Sequence, residues 1–571
     1  MPSLRSILVS ETKEFMKIAL EKSIRKFLPL IAIQFLTTLF WLLNWKKGIW
    51  VPEETSQFFP WRTLIGLGSD TYIFDGTAID GRSINQLPLG IFFGLIDLFA
   101  PSHLMPLITT LCLSLLLNFS IVLFLSRFIK NQIVLHLASI ATVFSFVSLN
   151  TSTYLSKTSA SVFFLLVFWS LTSERFQSMK VFFVSFICLG MLANIATAST
   201  GFLSFAFAGL YLLTNGYSLS YVVKTILKSI LTCLTLVVPT VYQFYFSDSQ
   251  ISNLLLRIQD TYYIFGSNKY FLIGSGYWAE NSKFENIPYF PWSPEISDPY
   301  YEIRFYLTVL FIIVCVFNCQ AIRNLHIGNL SFKNISQNLN LKVFWIFSSV
   351  MLSLAIFIAF PESINPLRKA IEQFGILSGF REPWAKFEFI FLVSLHALIA
   401  FVAQELHSLS VERKDEVQRY LKRSLHSKQM SNSKYKAMGK DLLFLKVNRF
   451  LLVTVGCCVC LVPAMSYTER AIMRHSDIFP PFVNNVQSSV KLINEIEKVR
   501  NSALLSEETL ELCLYTDSEA GANVISQLLM MSLGAENRNS IWSASTRRGI
   551  KVIKCESPDA RRTEFIGLKK R

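Results

Sequence analysis

The chain has 571 residues, 52% of them hydrophobic and 16% charged, whereas roughly a quarter of an ordinary soluble domain is charged. That composition excludes a soluble globular enzyme and points to a bilayer, because the 50 Phe add apolar area without polar atoms that hydrocarbon would leave unsatisfied. The net charge of +15 does not imply a nucleic-acid partner, since the basic residues lie mostly between apolar runs. Neither a G-x-x-x-x-G-K-[ST] nor an H-E-x-x-H pattern occurs, which argues against nucleotide-driven transport and zincin-type proteolysis.

A spanning helix needs about 20 mostly apolar residues. Segment 1–26 carries six Lys or Arg and reads as a basic cytoplasmic N-terminus. The run 27–45 follows as an anchor rather than a signal peptide, because no small-residue cleavage site comes after it. Further spans are expected at 103–126, 132–149, 157–172, 181–197, 200–214, 229–247, 304–322, 343–360, 386–404 and 450–467. Segment 405–449 then carries eleven Lys or Arg, against four beside five acids in 46–87 and three beside seven acids in 248–303. The excess of basic residues on one side places the N-terminus inside and, with an odd number of spans, the C-terminus outside. The expected class is an all-α polytopic membrane protein of about eleven transmembrane helices, with one multi-spanning domain over 27–467. It sits in a cell membrane, a bacterial inner membrane on this reading, with membrane lipids as partners and 405–449 as a basic cytoplasmic loop touching anionic headgroups.

The outer segments 46–102, 248–303 and 361–385 collect most of the polar chemistry. The first offers Glu53, Glu54, Asp70, Asp75 and Asp80 beside Trp50, Phe58, Phe59, Trp61, Tyr72 and Phe74. Sugar transfer from a lipid phosphate needs a carboxylate to take the proton of the acceptor hydroxyl, and cations or a divalent metal ion beside the departing phosphate. The third segment and the start of the next helix supply Arg368, Lys369, Arg381 and Lys386. Pro383 suits a first helical turn, so Arg381 stands on the loop where the tenth span begins. Arg381, Trp384 and Lys386 also fit as headgroup anchors. In 248–303, Tyr277 and Trp278, and the run Tyr289-Phe-Pro-Trp-Ser-Pro294, offer flat faces for sugar rings, a property shared by ordinary aromatic belts. Within the apolar runs, His396 and Asp97 stand out as ionisable, and a lone His such as His396 more often packs than relays protons.

Segment 468–571 is expected to form a small extracytoplasmic α/β domain, with strands at Leu510–Tyr515 and Ile550–Cys555 and a helix at Glu519–Leu533. Cys513 and Cys555 there are open to pairing or to remaining free. The other eight cysteines, including Cys457, Cys458 and Cys460, fall in apolar runs and read as packing residues.

Several stretches resemble, in order, the alpha-(1→3)-arabinofuranosyltransferase family, membrane glycosyltransferases of the GT-C class. They are Gly48-Ile-Trp-Val-Pro-Glu-Glu-Thr55, Trp61-Arg-Thr-Leu64, Ile73-Phe-Asp75, Leu87-Pro-Leu-Gly-Ile-Phe-Phe93, Gly274-Ser-Gly-Tyr-Trp278 and Phe380-Arg-Glu-Pro-Trp-Ala-Lys-Phe387. The resemblance covers about residues 27–404. It implies a GT-C-like fold, a polyprenyl-phosphate sugar as donor and an extracytoplasmic glycan as acceptor in cell-wall assembly. The family's catalytic base falls on Glu54 or Glu53, where its Asp is replaced by Glu and one residue is inserted. With that base, Arg381 and Lys386 would hold the donor phosphate, Asp75 and Asp80 the acceptor or a divalent cation, and Tyr277 and Trp278 the sugar. The rival readings are a lipid-linked glycan transporter and a non-catalytic scaffold of envelope polysaccharide assembly.

Overall fold

A computed structural model describes residues 28–44, 49–50, 105–153, 155–172, 196–231, 283–284, 287–288, 292, 299–324, 383–426, 432–474, 482–483, 510–516, 550–554 and 564–570. The helices among them are α1 (Leu28–Asn44), α2 (Met105–Leu125), α3 (Gln132–Val143), α4 (Phe146–Thr151), α5 (Leu155–Thr172) and α6 (Ala196–Thr214). They continue with α7 (219–231), α8 (Pro299–Asn324), α9 (Pro383–His426) and α10 (Asn432–Met473). The expected spans 181–197 and 343–360, apart from the start of α6, and the latter part of 229–247 lie outside the described residues.

The exterior of these helices is that of a bilayer protein. Along α1, Leu28, Ile31, Phe35, Leu39 and Leu42 are all exposed, at the three- and four-residue spacing of one helix face. In water such a stripe demands a partner; in lipid it is solvated. Four helices, α2, α8, α9 and α10, are long and apolar enough to cross a membrane. The protein is thus an all-α, multi-pass membrane protein with a small sheet near its C-terminus. Inside the bundle, α2, α5 and α6 pack through Phe124, Phe164, Phe168, Phe207 and Tyr211, with the Phe124 and Phe168 centroids 5.2 Å apart.

One expectation is corrected and another is given its local structure. The run 132–149 is not one helix: it breaks at Phe144–Ser145 into α3 and α4. A break inside hydrocarbon frees backbone groups that must find partners, and Ser145 supplies them. Its hydroxyl donates to the Thr142 carbonyl at 2.7 Å and accepts from the Ser148 amide at 3.2 Å. All six residues of α4 are buried, so the irregular backbone never meets lipid.

The basic segment 405–449, expected as a cytoplasmic connection between spans, is helical in its described residues. Helix α9 runs through to His426 and α10 starts at Asn432, so each is more than 40 residues long and spans over 60 Å at about 1.5 Å per residue. Only about 30 Å of that is needed to cross hydrocarbon. The surplus forms a two-helix stalk zipped by Leu406, Leu409, Val417 and Leu421 of α9 against Leu442 and Leu445 of α10. A charge count predicts a loop here, but a leucine seam at helical spacing lets the polar continuation stay helical.

Contacts fix the helix directions. Ala403 on α9 meets Gly456 on α10, and farther along Val417 meets Leu445, so the two run antiparallel. Phe311 of α8 also meets Gly456, and Asn318 Nδ2 donates to the Asn448 carbonyl at 2.9 Å, so α8 is antiparallel to α10 as well. The N-terminal ends of α8 and α9 therefore lie at the C-terminal end of α10.

The tail holds a three-stranded sheet of order β6-β5-β7, from β5 (Leu510–Thr516), β6 (Ile550–Lys554) and β7 (Glu564–Lys570). The two expected strands are present and pair in parallel. The third, β7, pairs antiparallel with β5. The expected helix Glu519–Leu533 and Cys555 lie outside the described residues. Two further strands, β1 (Ile49–Trp50) and β4 (Phe482–Val483), pair with each other. Strands β2 (Lys283–Phe284) and β3 (Ile287–Pro288) form a hairpin within segment 248–303.

Candidate functional site

The three segments that carry the expected chemistry are launched from one end of the bundle. Segment 46–102 begins where α1 stops at Asn44, and Asn44 lines one cavity with Thr468, Glu469 and Met473 from the C-terminal end of α10. Its strand β1 pairs with β4, just beyond α10. Segment 248–303 is tied to the same place by Trp292, fully buried against Trp41 and Phe40 of α1 at centroid distances of 5.3 and 5.6 Å. Segment 361–385 leads into α9, whose first turn also lies at the C-terminal end of α10. Trp292 was a candidate sugar-stacking face; the structure makes it an anchor of segment 248–303, with no surface to offer.

Of the site residues expected from sequence, Glu53, Glu54, Asp75, Asp80, Tyr277, Trp278 and Arg381 lie outside the described residues. Lys386 falls in the first turn of α9, at the same end of the bundle as β1.

Below β1 and β4, an apolar groove of about 540 Å³ opens sideways between α1 and α10, with α3 as its floor. Leu36, Leu39 and Leu43 form one wall and Leu461, Met465 and Ile472 the other. Its volume matches ordinary ligand sites of roughly 300–1,000 Å³. Polar atoms gather at one end. Asn44 Nδ2 donates back to the Phe40 carbonyl at 2.8 Å, while its Oδ1 has no hydrogen-bond partner among the described residues. Thr468 spends its hydroxyl on the Ala464 carbonyl at 2.8 Å, and Glu469 completes the polar rim.

Deeper in the bundle lies a polar cluster around His396, the ionisable residue expected to pack, whose partners Arg304 and Thr142 were not among the expected residues. Arg304 of α8, His396 of α9 and Thr142 of α3 are each at most 2% exposed. The Arg304 guanidinium meets His396 Nε2 at 2.8 Å, and His396 Nδ1 meets Thr142 Oγ1 at 2.9 Å. The proton positions follow from the donors available. Arginine has only N–H donors, so Nε2 accepts and the ring proton sits on Nδ1. Thr142 accepts that proton and passes its own to the Ala138 carbonyl at 2.7 Å. His396 is therefore a neutral imidazole in the Nδ1–H tautomer, tying three helices together.

Counting along α10 from the Ala403–Gly456 and Phe311–Gly456 contacts places this trio level with Pro463. That is about 15 Å, ten residues at 1.5 Å each, below Met473. Glu388 is also buried, at 3% exposure, near the mouth of α9. Arg304 and Glu388 stand at the starts of their apolar runs, two residues after Glu302 and Lys386, so the sequence shows them as ordinary charges at helix starts rather than as buried ones. Neighbouring hydroxyls are committed to the backbone, Ser152 to Leu149, Thr153 to Asn150 and Thr158 to Thr151 carbonyls, at 2.7–2.8 Å. Asn150 differs, since its buried amide has no hydrogen-bond partner among the described residues at either atom.

No family model and no curated protein matches the chain. Among solved structures, ArnT from Cupriavidus metallidurans bound to undecaprenyl phosphate is similar, over 91% of this chain and 89% of that chain, at 12% identity and a TM-score of 0.44.

Proposed function

We infer that the chain is a membrane glycosyltransferase that moves a sugar, arabinofuranose on the family resemblance, from a polyprenyl-phosphate donor to an extracytoplasmic glycan. The observation that carries the reading is the laterally open apolar groove beside the strand pair that leads into the Glu53–Glu54 segment. A donor whose hydrocarbon lies in the groove would present its phosphate at the mouth, near the start of α9. Glu54, or Glu53, would take the proton of the acceptor hydroxyl as that oxygen attacks the anomeric carbon, and the lipid phosphate would leave with the bonding pair. Arg381 and Lys386 would offset the charge growing on that phosphate. Asp75 and Asp80 would orient the acceptor or a divalent cation, and Tyr277 and Trp278 would border the sugar.

The test is transfer from a radiolabelled polyprenyl-phosphate arabinofuranose by the purified protein, with glycan product resolved from lipid. Glu54→Gln or Glu53→Gln should reduce product by 10²-fold or more, the usual scale of general-base loss. Full activity in both variants rejects the base assignment. Absence of transfer from every polyprenyl-phosphate sugar rejects the transferase.

One observation favours the rival of a lipid-linked glycan transporter. The broken α3–α4 helix and the buried Arg304 and His396 below the helix ends are features that transporters use at mid-membrane. Flipping of a labelled lipid-linked sugar in proteoliposomes without a new glycosidic bond would select it.

A further inference from the structure

A second cleft opens at the opposite level of the bundle, on the stalk side. It lies between α3 and α10 with α9 as its floor, and its volume is about 240 Å³. The cleft exists because its floor is small-chained: Ala400 and Ala403 face it from α9, Ala138 from α3 and Gly456 from α10. Ile133 and Val453, exposed apolar residues on its two rims, put the opening toward lipid. The volume is below the roughly 300–1,000 Å³ of ordinary small-molecule sites, which favours part of one hydrocarbon chain over a ring-bearing ligand.

The cleft is apolar along its length and polar at the end toward the stalk, where Asn131, Gln404, His407 and Ser408 meet. Two of these are already committed. Gln404 Oε1 accepts from the Lys130 and Asn131 amides at 2.9 and 2.8 Å, and Asn131 Oδ1 caps α3 by accepting from the Ile133 and Val134 amides at 3.0 and 3.3 Å. His407 is different: its buried Nδ1 has no hydrogen-bond partner among the described residues. Arg449 of α10 lies near enough to act on that imidazole electrostatically, and the Lys130 backbone amide is held by Gln404, one helical turn before His407. Glu405 accepts from Gln404 Nε2 at 3.3 Å. The end of the cleft thus joins an apolar slot to the Arg449 guanidinium and a ring nitrogen in want of a partner.

We propose that this cleft binds an anionic glycerophospholipid of the adjacent leaflet, one acyl chain lying along Ala400 and Ala403 and the phosphate meeting His407 and Arg449. The match is of charge and shape together: hydrocarbon for the slot, and a phosphate oxygen for the His407 nitrogen and the Arg449 guanidinium. The site stands apart from the groove beneath β1 and does not depend on the transferase reading.

The experiment uses the full chain purified in detergent, with phosphatidylglycerol and phosphatidylcholine added at equal concentration and bound lipid counted by native mass spectrometry. Wild type should retain phosphatidylglycerol in preference. Arg449→Gln should cut that preference about fivefold, equivalent to about 1 kcal/mol per basic residue at an anionic surface, and His407→Leu should lower it too. Val134→Trp fills the slot from its wall and should reduce retention of both lipids while leaving thermal unfolding near wild type. Equal retention of the two lipids by wild type overturns the proposal. So does an unchanged preference in Arg449→Gln and His407→Leu, or full retention in Val134→Trp.

Discussion

Replacing His396 by Ala should be among the most damaging single changes in the membrane domain. The imidazole supplies the Nε2 acceptor for the Arg304 guanidinium at 2.8 Å and the Nδ1 donor for Thr142 at 2.9 Å. Losing a hydrogen bond to a buried charged group costs about 1.5–3 kcal/mol. The Thr142 bond between membrane helices contributes about 0.6 kcal/mol and at most about 1.7. Summed, the change should cost about 2–5 kcal/mol, before any cavity left by the ring. The measurement is equilibrium unfolding of detergent-purified protein across an SDS or guanidinium titration. His396→Gln is the discriminating companion, because its Oε1 can still accept from Arg304. It should recover at least half of the loss. If Gln and Ala are equally destabilised, or if Ala costs less than about 1 kcal/mol, the guanidinium does not depend on this ring and the tautomer argument fails with it.

Three other changes bear on the packing. At Gly456 an added Cβ would stand 3.1 Å from Phe311 Cε2 and 3.9 Å from Ala403 Cβ, so Gly456→Leu should overpack the α8–α9–α10 junction and cost about 1–3 kcal/mol in the same titration. Gly209→Ala is the contrast: its Cβ would meet the far end of the flexible Ile226 side chain at 2.7 Å. Rotation of that chain and the better helix propensity of Ala, about 1 kcal/mol, should leave stability within about 1 kcal/mol of wild type. Gln404→Ala removes the acceptor that holds the Lys130 and Asn131 amides, so limited trypsin digestion should cut after Arg127 or Lys130 several-fold faster. Unchanged cleavage would show that Gln404 does not hold this turn.

The spans were legible because a bilayer imposes a composition rule. About 20 apolar residues suffice to mark a helix, and α1, α2, α5, α6 and α8 lie within a few residues of the expected bounds. The α3–α4 break was hidden because its agent is one serine. Ser145 hardly lowers local hydropathy, yet its hydroxyl closes both new helix ends. The helical stalk was hidden for the opposite reason, since the eleven basic residues of 405–449 outweighed the sparse leucines that zip its described helices. In the tail, Leu510–Tyr515 and Ile550–Cys555 announced themselves as short runs rich in apolar and β-branched residues within a polar segment. The parallel pairing they adopt needs a crossover of a dozen or more residues, a role that the expected helix at Glu519–Leu533 would fill. Strand β7, with Glu564, Lys569 and Lys570, looks too polar for a strand and is one because β5 pairs with it along its whole length.

The candidate site divides along the same line. Residues on loops could be nominated from sequence, since acids, cations and aromatics gathered between spans are conspicuous. Inside the spans His396 stood out and was read as a packing residue, but its partners could not be named, because only the antiparallel arrangement of α8 and α9 against α10 brings Arg304 to His396. Their depth now matters to function. Chemistry at the loops needs nothing charged some 15 Å below the helix ends, and a charge there is costly unless the fold requires it. The Arg304–His396–Thr142 chain satisfies that requirement structurally by joining three helices, one of them broken beside Thr142. A transferase can tolerate such a tie as a rigid floor under its outer loops; a transporter must break it in every cycle. Locking α8 to α9 with a cysteine crosslink one turn from Arg304 and His396 therefore separates the two, abolishing transport but sparing transfer.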